Sequence, residues 1–229
     1  MNNQHTLRIF DEDLNGLQQE IVALSTHVSE ELHRALTALV HDDAVLAEQV
    51  IASDRIADAL LEKINTHTTR TLARQQAMAD DLRAILAASR IAIHLERIGD
   101  YAKNTAKRSR HLSRPISVEL AEQFQWMGKR IQSMLHQVTE SYVHHNAQLA
   151  NVAWADDAEL DTVYVNLFRH LLRTMSQESR HIADGTQLLF IAKGLERAGD
   201  HVTDIAEEVY LMVTGLPLQG PRPKVSELS

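Results

Sequence analysis

Apolar residues recur every three or four positions over most of the chain, the spacing that one face of an α-helix produces. In the first half this stripe predicts a long amphipathic helix from about Thr6 to Val40. A second helix is predicted from about Asp43 to a turn near Gln75, Gln76 and Ala77, and a third from about Met78 to Leu112. The first half therefore forms three long helices.

The second half repeats this plan after Ser113–Pro115, the one convincing linker. Three further helices are predicted at about Ser117–His145, Ala147–Ser176 and Ile182–Thr214. We expect an all-α protein of two tandem three-helix bundles with six long helices, residues 1–113 and 116–214. A flexible tail, 215–229, follows because it is rich in Gly and Pro.

The two halves are related by an internal duplication. The stretch IAIHLERIGDYAKNTAKR (Ile91–Arg108) returns 100 positions later as IAKGLERAGDHVTDIAEE (Ile191–Glu208), with eight of eighteen positions identical. Each copy holds a glycine in mid-helix, Gly99 and Gly199, which costs roughly 1 kcal/mol relative to Ala. A missing side chain at this point leaves room for a close helix or a bound ion.

Composition supports the helical class and excludes several functions. The 229 residues include 8 Gly, 4 Pro and 4% aromatic residues, and the formal net charge of −8 excludes a general nucleic-acid binder. Cysteine is absent, which excludes disulfides, thiolate metal sites and cysteine nucleophiles. The N-terminus lacks an export signal and no apolar run could span a membrane, so we expect a cytoplasmic protein.

Each repeat copy carries a Glu and an Asp four residues apart, which puts both carboxylates on one helix face. The second helix of each half carries an acidic pair at the same spacing. The four pairs are Glu96 with Asp100, Glu196 with Asp200, Asp54 with Asp58, and Asp157 with Asp161. In each half the pairs are equidistant from a predicted turn, at residue 77 or between residues 178 and 179. Across an antiparallel helix pair they meet at one height, roughly 30 Å from the turn.

Four carboxylates in a partly dry interface require cations. Arg97 and Arg197 are candidate charge partners, while Asn104 and Asp204, one turn further on, are candidate outer ligands. Oxygen ligands favour Mg, Mn, Ca or Fe, with Zn less expected. Solvated acidic surfaces and interhelical salt bridges are common alternatives for such pairs, and both stay open.

Two other functions are compatible with the pattern. A carboxylate-bridged di-metal oxidoreductase would use two Glu-x-x-His segments in a four-helix bundle, and Glu30 with His33 and Glu178 with His181 have that spacing. They lie outside the repeat offset, and the second falls at a predicted turn, so chance explains them better. A metal-free helical adaptor, with clusters paired to Arg alone, is the other alternative.

The chain resembles the PhoU family of phosphate-specific transport accessory proteins. The resemblance rests on LERIGDYAKN (Leu95–Asn104), its second copy LERAGDHVTD (Leu195–Asp204) and the approach segment ADDLRAILAASRIAIHLE. It implies two three-helix bundles, iron or zinc clusters on the four acidic pairs, and no catalysis. The family usually has Asn where Asp204 stands, so the two clusters are not expected to be equivalent.

The same resemblance implies a regulatory role. A family member restrains the phosphate-starvation response by contacting the ATPase subunit of the phosphate importer and a phosphate-sensing histidine kinase. It works on the cytoplasmic side of the membrane and is peripheral to it only through these partners. The resemblance also suggests a homodimer. We therefore expect a metal-binding adaptor rather than an enzyme.

Overall fold

The computed structural model describes residues 2–74 and 79–219 of the chain, with side chains from residue 12 onward. Over these ranges it contains seven α-helices, one 3₁₀ turn and no β-strand. The helices are α1 (Asn2–His41), α2 (Ala44–Arg74), α3 (Ala79–Ser109), α4 (Val118–Val143), α5 (Ala147–Ala155), α6 (Asp157–Gln177) and α7 (Ile182–Thr214). The all-α prediction is confirmed.

The helices pack as the two bundles that the sequence predicts. Helices α1, α2 and α3 form bundle one, and α4, α5, α6 and α7 form bundle two. Helix α4 begins after the N-cap Ser117, whose hydroxyl accepts a hydrogen bond from the Leu120 amide. Helix α7 has the predicted bounds and ends at Gly215, whose φ of 72° suits glycine. The predicted turn near Ala77 and the tail from residue 220 lie outside the described residues.

The predicted helix Ala147–Ser176 is wrong in one respect, because the chain breaks at Asp156 into α5 and α6. Arg130 of α4 holds the break, with Nη2 lying 3.1 Å from Asp156 Oδ1 and 2.9 Å from Glu159 Oε2. The indole N–H of Trp154 donates to Glu207 Oε1 on α7 at 2.9 Å. Acidic residues suit the first turn of a new helix. Asp157 is therefore the first residue of α6, not a mid-helix residue.

The two bundles pack directly against each other. Helix α3 contacts α7 along the two repeat copies, and we call this contact the seam; α1 contacts α4 beside it. The apolar stripes of all seven helices contribute to one continuous buried core. The division into domains 1–113 and 116–214 stays a prediction, since burial is shared across the boundary.

The linker between the bundles is anchored. The Ser113 amide and hydroxyl donate to the two carboxylate oxygens of Asp184, at 2.9 and 2.6 Å. Asp184 lies in the first turn of α7 and is 8% exposed. The linker is therefore tied to the start of α7, the helix that carries the second repeat copy.

No helix in the described ranges has the length and apolar composition needed to cross a membrane.

Candidate metal centres

Cluster one comprises the acidic residues of bundle one, Asp54, Asp58, Glu96 and Asp100. Lys103 Nζ donates to Asp54 Oδ2 at 2.6 Å and to Asp100 Oδ1 at 2.8 Å. Asp54 belongs to α2 and Asp100 to α3, so the two helices present their carboxylates at one height. This is the meeting that their equal distance from the turn predicts.

Lys103 is a cation that the sequence prediction omits. Burial alone would lower the pKa of Lys103, but the hydrogen-bonded carboxylates of Asp100 and Asp54 outweigh it and hold the pKa above its ordinary value. Lys103 follows Glu96 by seven residues, about two helical turns, so both side chains lie on one face of α3. This spacing could have identified Lys103 from the sequence. Cluster one thus contains an internal positive charge.

The remaining acids of cluster one differ in exposure. The side chain of Glu96 is 17% exposed, and burial, followed by repulsion from Asp100, raises its pKa above the ordinary value. Asp54 and Asp58 add smaller contributions in the same direction. Asp58 itself is exposed. All four carboxylates therefore share one electrostatic environment at the edge of the α2–α3 interface.

Glu31 of α1 is a fifth carboxylate, one that the sequence prediction missed. It is 2% exposed, its Oε1 accepts a hydrogen bond from the Ser53 hydroxyl at 2.5 Å, and its Oε2 has no hydrogen-bond partner among the described residues. A Cβ built on Gly99 would lie 3.5 Å from that oxygen. Burial raises the pKa of Glu31, and Asp54 adds to the increase. Glu31 therefore lies in the gap that the first repeat glycine leaves.

Cluster two comprises Asp157, Asp161, Glu196 and Asp200 of bundle two. Asp157 is 1% exposed and Asp161 is also buried, both on α6. A Cβ built on Gly199 would lie 3.2 Å from Asp157 Oδ1. Gly199 stands between Glu196 and Asp200 on α7, so the carboxylate of Asp157 lies against the backbone at this point. The second repeat glycine allows α6 to approach closely.

Lys193 supplies the positive charge in cluster two. Its Nζ lies 2.7 Å from Glu196 Oε2. Burial raises the pKa of Glu196 above its ordinary value, Lys193 lowers it, and Asp200 and Asp161 raise it further. The equivalent of Lys193 in bundle one is Ile93, and the equivalent of Lys103 is Thr203. The lysine that pairs with the carboxylates therefore stands at a different position of the repeat in each cluster.

The two predicted arginine partners behave differently. Arg97 Nε is 3.7 Å from Glu96 Oε2, and its Nη1 is 3.5 Å from Asp100 Oδ2. Arg97 therefore pairs with acidic residues of its own helix, α3. Arg197 is exposed, and a hydrogen bond to Tyr101 of α3 raises its pKa. Arg197 therefore reaches across the seam. Its contribution to cluster two is through charge alone.

The two candidate outer ligands lie towards the seam. Asp204 Oδ2 is 3.5 Å from Nδ1 of both His94 and His201. Asn104 is exposed beside Tyr101 and Arg197. Eight residues of α-helix rotate a side chain by roughly 80°, so these positions turn away from Glu96 and Glu196. The prediction had overlooked this drift.

The donor sets of both clusters fit a metal. Both present carboxylate oxygens from two helices beside a glycine, a chemistry that hard and borderline cations favour. In cluster one an ammonium already lies between Asp54 and Asp100 and would have to withdraw. In cluster two the ammonium of Lys193 lies beside Glu196. The orphaned oxygen of Glu31 is a further donor for cluster one.

The di-metal oxidoreductase alternative finds no support in its own residues. Glu30 and His33 are exposed on α1, and Glu178 is about half exposed beyond the end of α6. Such centres are built from side chains that project into a bundle core. Three of the four residues therefore lie outside a bundle core, and His181 alone among them is largely buried, at 16% exposure.

Comparison with known proteins identifies the family. The model of the PhoU domain matches twice, at residues 21–109 and 124–209. The chain belongs to the PhoU family. Each match contains both acidic pairs of its bundle, and together the matches span most of the two bundles. The resemblance carried by the repeated motif is thus confirmed.

Curated PhoU relatives match over almost the whole chain. The phosphate-specific transport system accessory protein PhoU homolog of Rhizobium meliloti is 39% identical, over 98% of this chain and 95% of the relative. The homolog of Caulobacter vibrioides is 38% identical, over 99% of both chains. Both alignments therefore extend over the two bundles of this chain.

Solved PhoU structures agree with the fold. The crystal structure of PhoU from Pseudomonas aeruginosa superposes with a TM-score of 0.86 at 30% identity, covering 90% of this chain and all of that one. The phosphate transport system regulatory protein PhoU from Streptococcus pneumoniae gives 0.85 at 30% identity, covering 92% and 99%. The tandem bundle architecture is that of the PhoU family.

Proposed function

We propose that this protein is a metal-binding regulatory adaptor of phosphate uptake and phosphate-starvation signalling. The observation that carries the metal proposal is the convergence of acidic helices beside a repeat glycine in both bundles. Its clearest instances are the Asp54–Lys103–Asp100 bridge and the approach of Asp157 to Gly199. The regulatory role is supported by relatives named as accessory proteins of phosphate-specific transport.

The chain's own carboxylates would hold the metal. In bundle two these are Asp157, Asp161, Glu196 and Asp200. In bundle one they are Asp54, Asp58, Glu96 and Asp100, with Glu31 as an added buried donor. A bound cluster of iron or zinc, or ions such as Mn, Mg or Ca, would add to the positive charge that Lys103 and Lys193 provide.

As an adaptor, the protein would contact the importer ATPase and the phosphate-sensing histidine kinase and restrain the starvation response. We propose that it acts as a homodimer in the cytoplasm, peripheral to the membrane through its partners, and that it is not an enzyme. Relatives named as accessory or regulatory proteins support this assignment. The metal would then stabilise the surface that these partners recognise.

The metal proposal is tested by elemental analysis of protein purified without chelators from metal-replete cells. Wild-type protein should carry iron or zinc, and Glu196→Gln with Asp200→Asn should lose at least half of it. The matched control is Glu30→Gln with Glu122→Gln, which removes two exposed carboxylates. Equal metal content in both double variants, or none in the wild type, would contradict the proposal.

The adaptor role is tested separately, in cells that lack the gene and carry a phosphate-starvation reporter. Reintroduced wild-type protein should repress the reporter in phosphate-rich medium and should co-purify with the importer ATPase. Failure of both results sinks the adaptor proposal. Repression by a variant that binds no metal would instead favour the metal-free adaptor.

A further inference from the structure

Three potential metal ligands converge at the seam, outside both carboxylate clusters. His94 comes from α3 of bundle one, and His201 and Asp204 come from α7 of bundle two. Each residue offers a ligand atom, and the three atoms lie within 4.8 Å of one another. The side chains are 24%, 22% and 35% exposed, so an ion could enter from solvent. We call this group the seam triad.

The geometry of the seam triad is closer to that of a tetrahedral ion than to that of an octahedral one. His94 Nδ1 is 3.0 Å from His201 Nδ1, and Asp204 Oδ2 is 3.5 Å from each of them. Donors around a tetrahedral ion with bonds of ~2.0–2.1 Å are about 3.3–3.4 Å apart. Neighbouring donors around an octahedral ion with the same bonds are about 2.8–3.0 Å apart. Two of the three edges are too long for the octahedral arrangement.

The position left for the ion also suits four-coordination. An ion that lies ~2.05 Å from all three atoms would sit about 0.7 Å out of their plane, the displacement of a tetrahedral centre. The fourth ligand position would then face away from the triad. A water molecule could occupy it, as in sites with three protein ligands.

The chemistry of the donors selects the ion. Two imidazoles and one carboxylate suit borderline divalent transition ions rather than Mg or Ca, which prefer oxygen donors alone. The neutral imidazole is the form that binds metal. Arg90, one turn before His94, is paired with Glu208 at 3.2 Å. Its charge is thereby compensated.

We propose that His94, His201 and Asp204 form a mononuclear site for a tetrahedral divalent transition ion, zinc above all, which joins α3 of bundle one to α7 of bundle two. The ion ties together two residues on either side of the seam, 107 positions apart in sequence. It stabilises the packed arrangement of the bundles because it binds only when they are docked.

The other side of the seam provides a contrast within the same chain. The repeat offset of 100 relates His94 to Gly194, His201 to Tyr101 and Asp204 to Asn104. A Cβ built on Gly194 would lie 3.5 Å from Tyr101 Cδ1. The duplicated position is thus filled by an aromatic ring and offers no imidazole. The seam triad is specific to one side of the duplicated helices.

The competing explanation is a direct hydrogen bond between neutral imidazoles, in which one Nδ1–H donates to the other Nδ1 at 3.0 Å. That bond needs no metal, and Asp204 would then be an ion-pair acceptor 3.5 Å from each imidazole. The two explanations differ in what divalent ions do to the full-length protein. Cobalt is the informative probe, because it replaces zinc and its visible spectrum reports the coordination geometry.

The test is a titration of chelator-treated full-length protein with CoCl₂, followed in the visible range. We expect intense tetrahedral bands whose final absorbance corresponds to one tetrahedral ion per chain and which disappear when ZnCl₂ is added. His94→Gln with His201→Gln should lose these bands, with at least a hundredfold loss of cobalt affinity. A circular dichroism spectrum verifies that the variant is folded.

Two control variants separate this site from other metal binding. His33→Gln with His41→Gln removes two exposed histidines of α1 and should leave the bands unchanged. Glu196→Gln with Asp200→Asn disrupts cluster two and should also keep them, so this site is tested independently of the proposed clusters. Absence of tetrahedral bands from the wild type, or their persistence in the His94 and His201 variant, would overturn the proposal.

Discussion

At the scale of single residues, the repeat glycines make an unequal pair. A Cβ on Gly99 would meet Val28 Cγ2 at 3.4 Å, an ordinary contact. A Cβ on Gly199 would meet Leu160 Cδ2 at 2.2 Å, and Leu160 is fully buried. The surroundings of Gly199 are therefore packed more tightly than those of Gly99.

We predict opposite effects of alanine at these positions in chelator-treated protein. Gly99→Ala should raise the free energy of unfolding by up to about 1 kcal/mol, because alanine favours the helix. Gly199→Ala should lower it by about 1–3 kcal/mol, because Leu160 must move within a packed core. Urea unfolding of both variants measures the difference. Equal effects would show that the two glycines are equivalent after all.

Lys103 gives a second prediction at this scale. In Lys103→Met the carboxylates of Asp54 and Asp100 lose their shared partner, so the metal-free protein should lose about 1–3 kcal/mol of stability. Added divalent metal should then raise the melting temperature of the variant by more than that of the wild type, because no ammonium competes. Lys107→Met, an exposed position of α3, is the control. The same metal-induced increase in all three proteins would refute the competition.

At the scale of helices, the anchored linker makes the start of α7 vulnerable. Asp184→Ala removes the acceptor of both Ser113 hydrogen bonds and leaves the Ser113 donors without it. We predict a loss of about 1.5–3 kcal/mol, the range for hydrogen bonds to charged groups. Asp81→Ala, which removes a half-buried acid in the first turn of α3, should cost under 1 kcal/mol. Chemical denaturation measures both; equal losses would mean that the linker contact contributes nothing.

The helices could be predicted from sequence because their apolar spacing is a local property. Helix α7 was predicted to the residue, and Gly215 marks its end. The break at Asp156 was missed because Arg130, on another helix, stabilises it. Local periodicity carries no information on such contacts.

The candidate site was predicted in part for the same reason. The symmetry of the acidic pairs placed Asp54 opposite Asp100, a relation that any antiparallel helix pair obeys. Glu31 was missed although it occupies a core position between Val28 and Ala35, both fully buried. A charge in the middle of an apolar stripe was the available signal. His94 and His201 meet through packing of the two bundles, which no local pattern reveals.

At the scale of the whole molecule, the bundles are expected to unfold together. Gly128 of α4 faces Leu36 of α1 across the bundle boundary, and a Cβ there would lie 2.1 Å from Leu36 Cδ1. Gly128→Ala should therefore lower stability by about 1–3 kcal/mol while unfolding stays a single transition. Gly194→Ala, where the nearest contact is 3.5 Å, is the matched control at the same boundary. Calorimetry that resolves two transitions, with one unaffected by Gly128→Ala, would show that the bundles are independent.

We propose that the acidic helices of each bundle together hold a metal. Anomalous scattering from a crystal of protein kept in metal-replete buffer tests it most directly, because it fixes the element and its ligands together. We expect a strong peak between α6 and α7, within bonding distance of Asp157, Glu196 and Asp200, and a second peak at cluster one. A map from such a crystal with no peak at either cluster would contradict it.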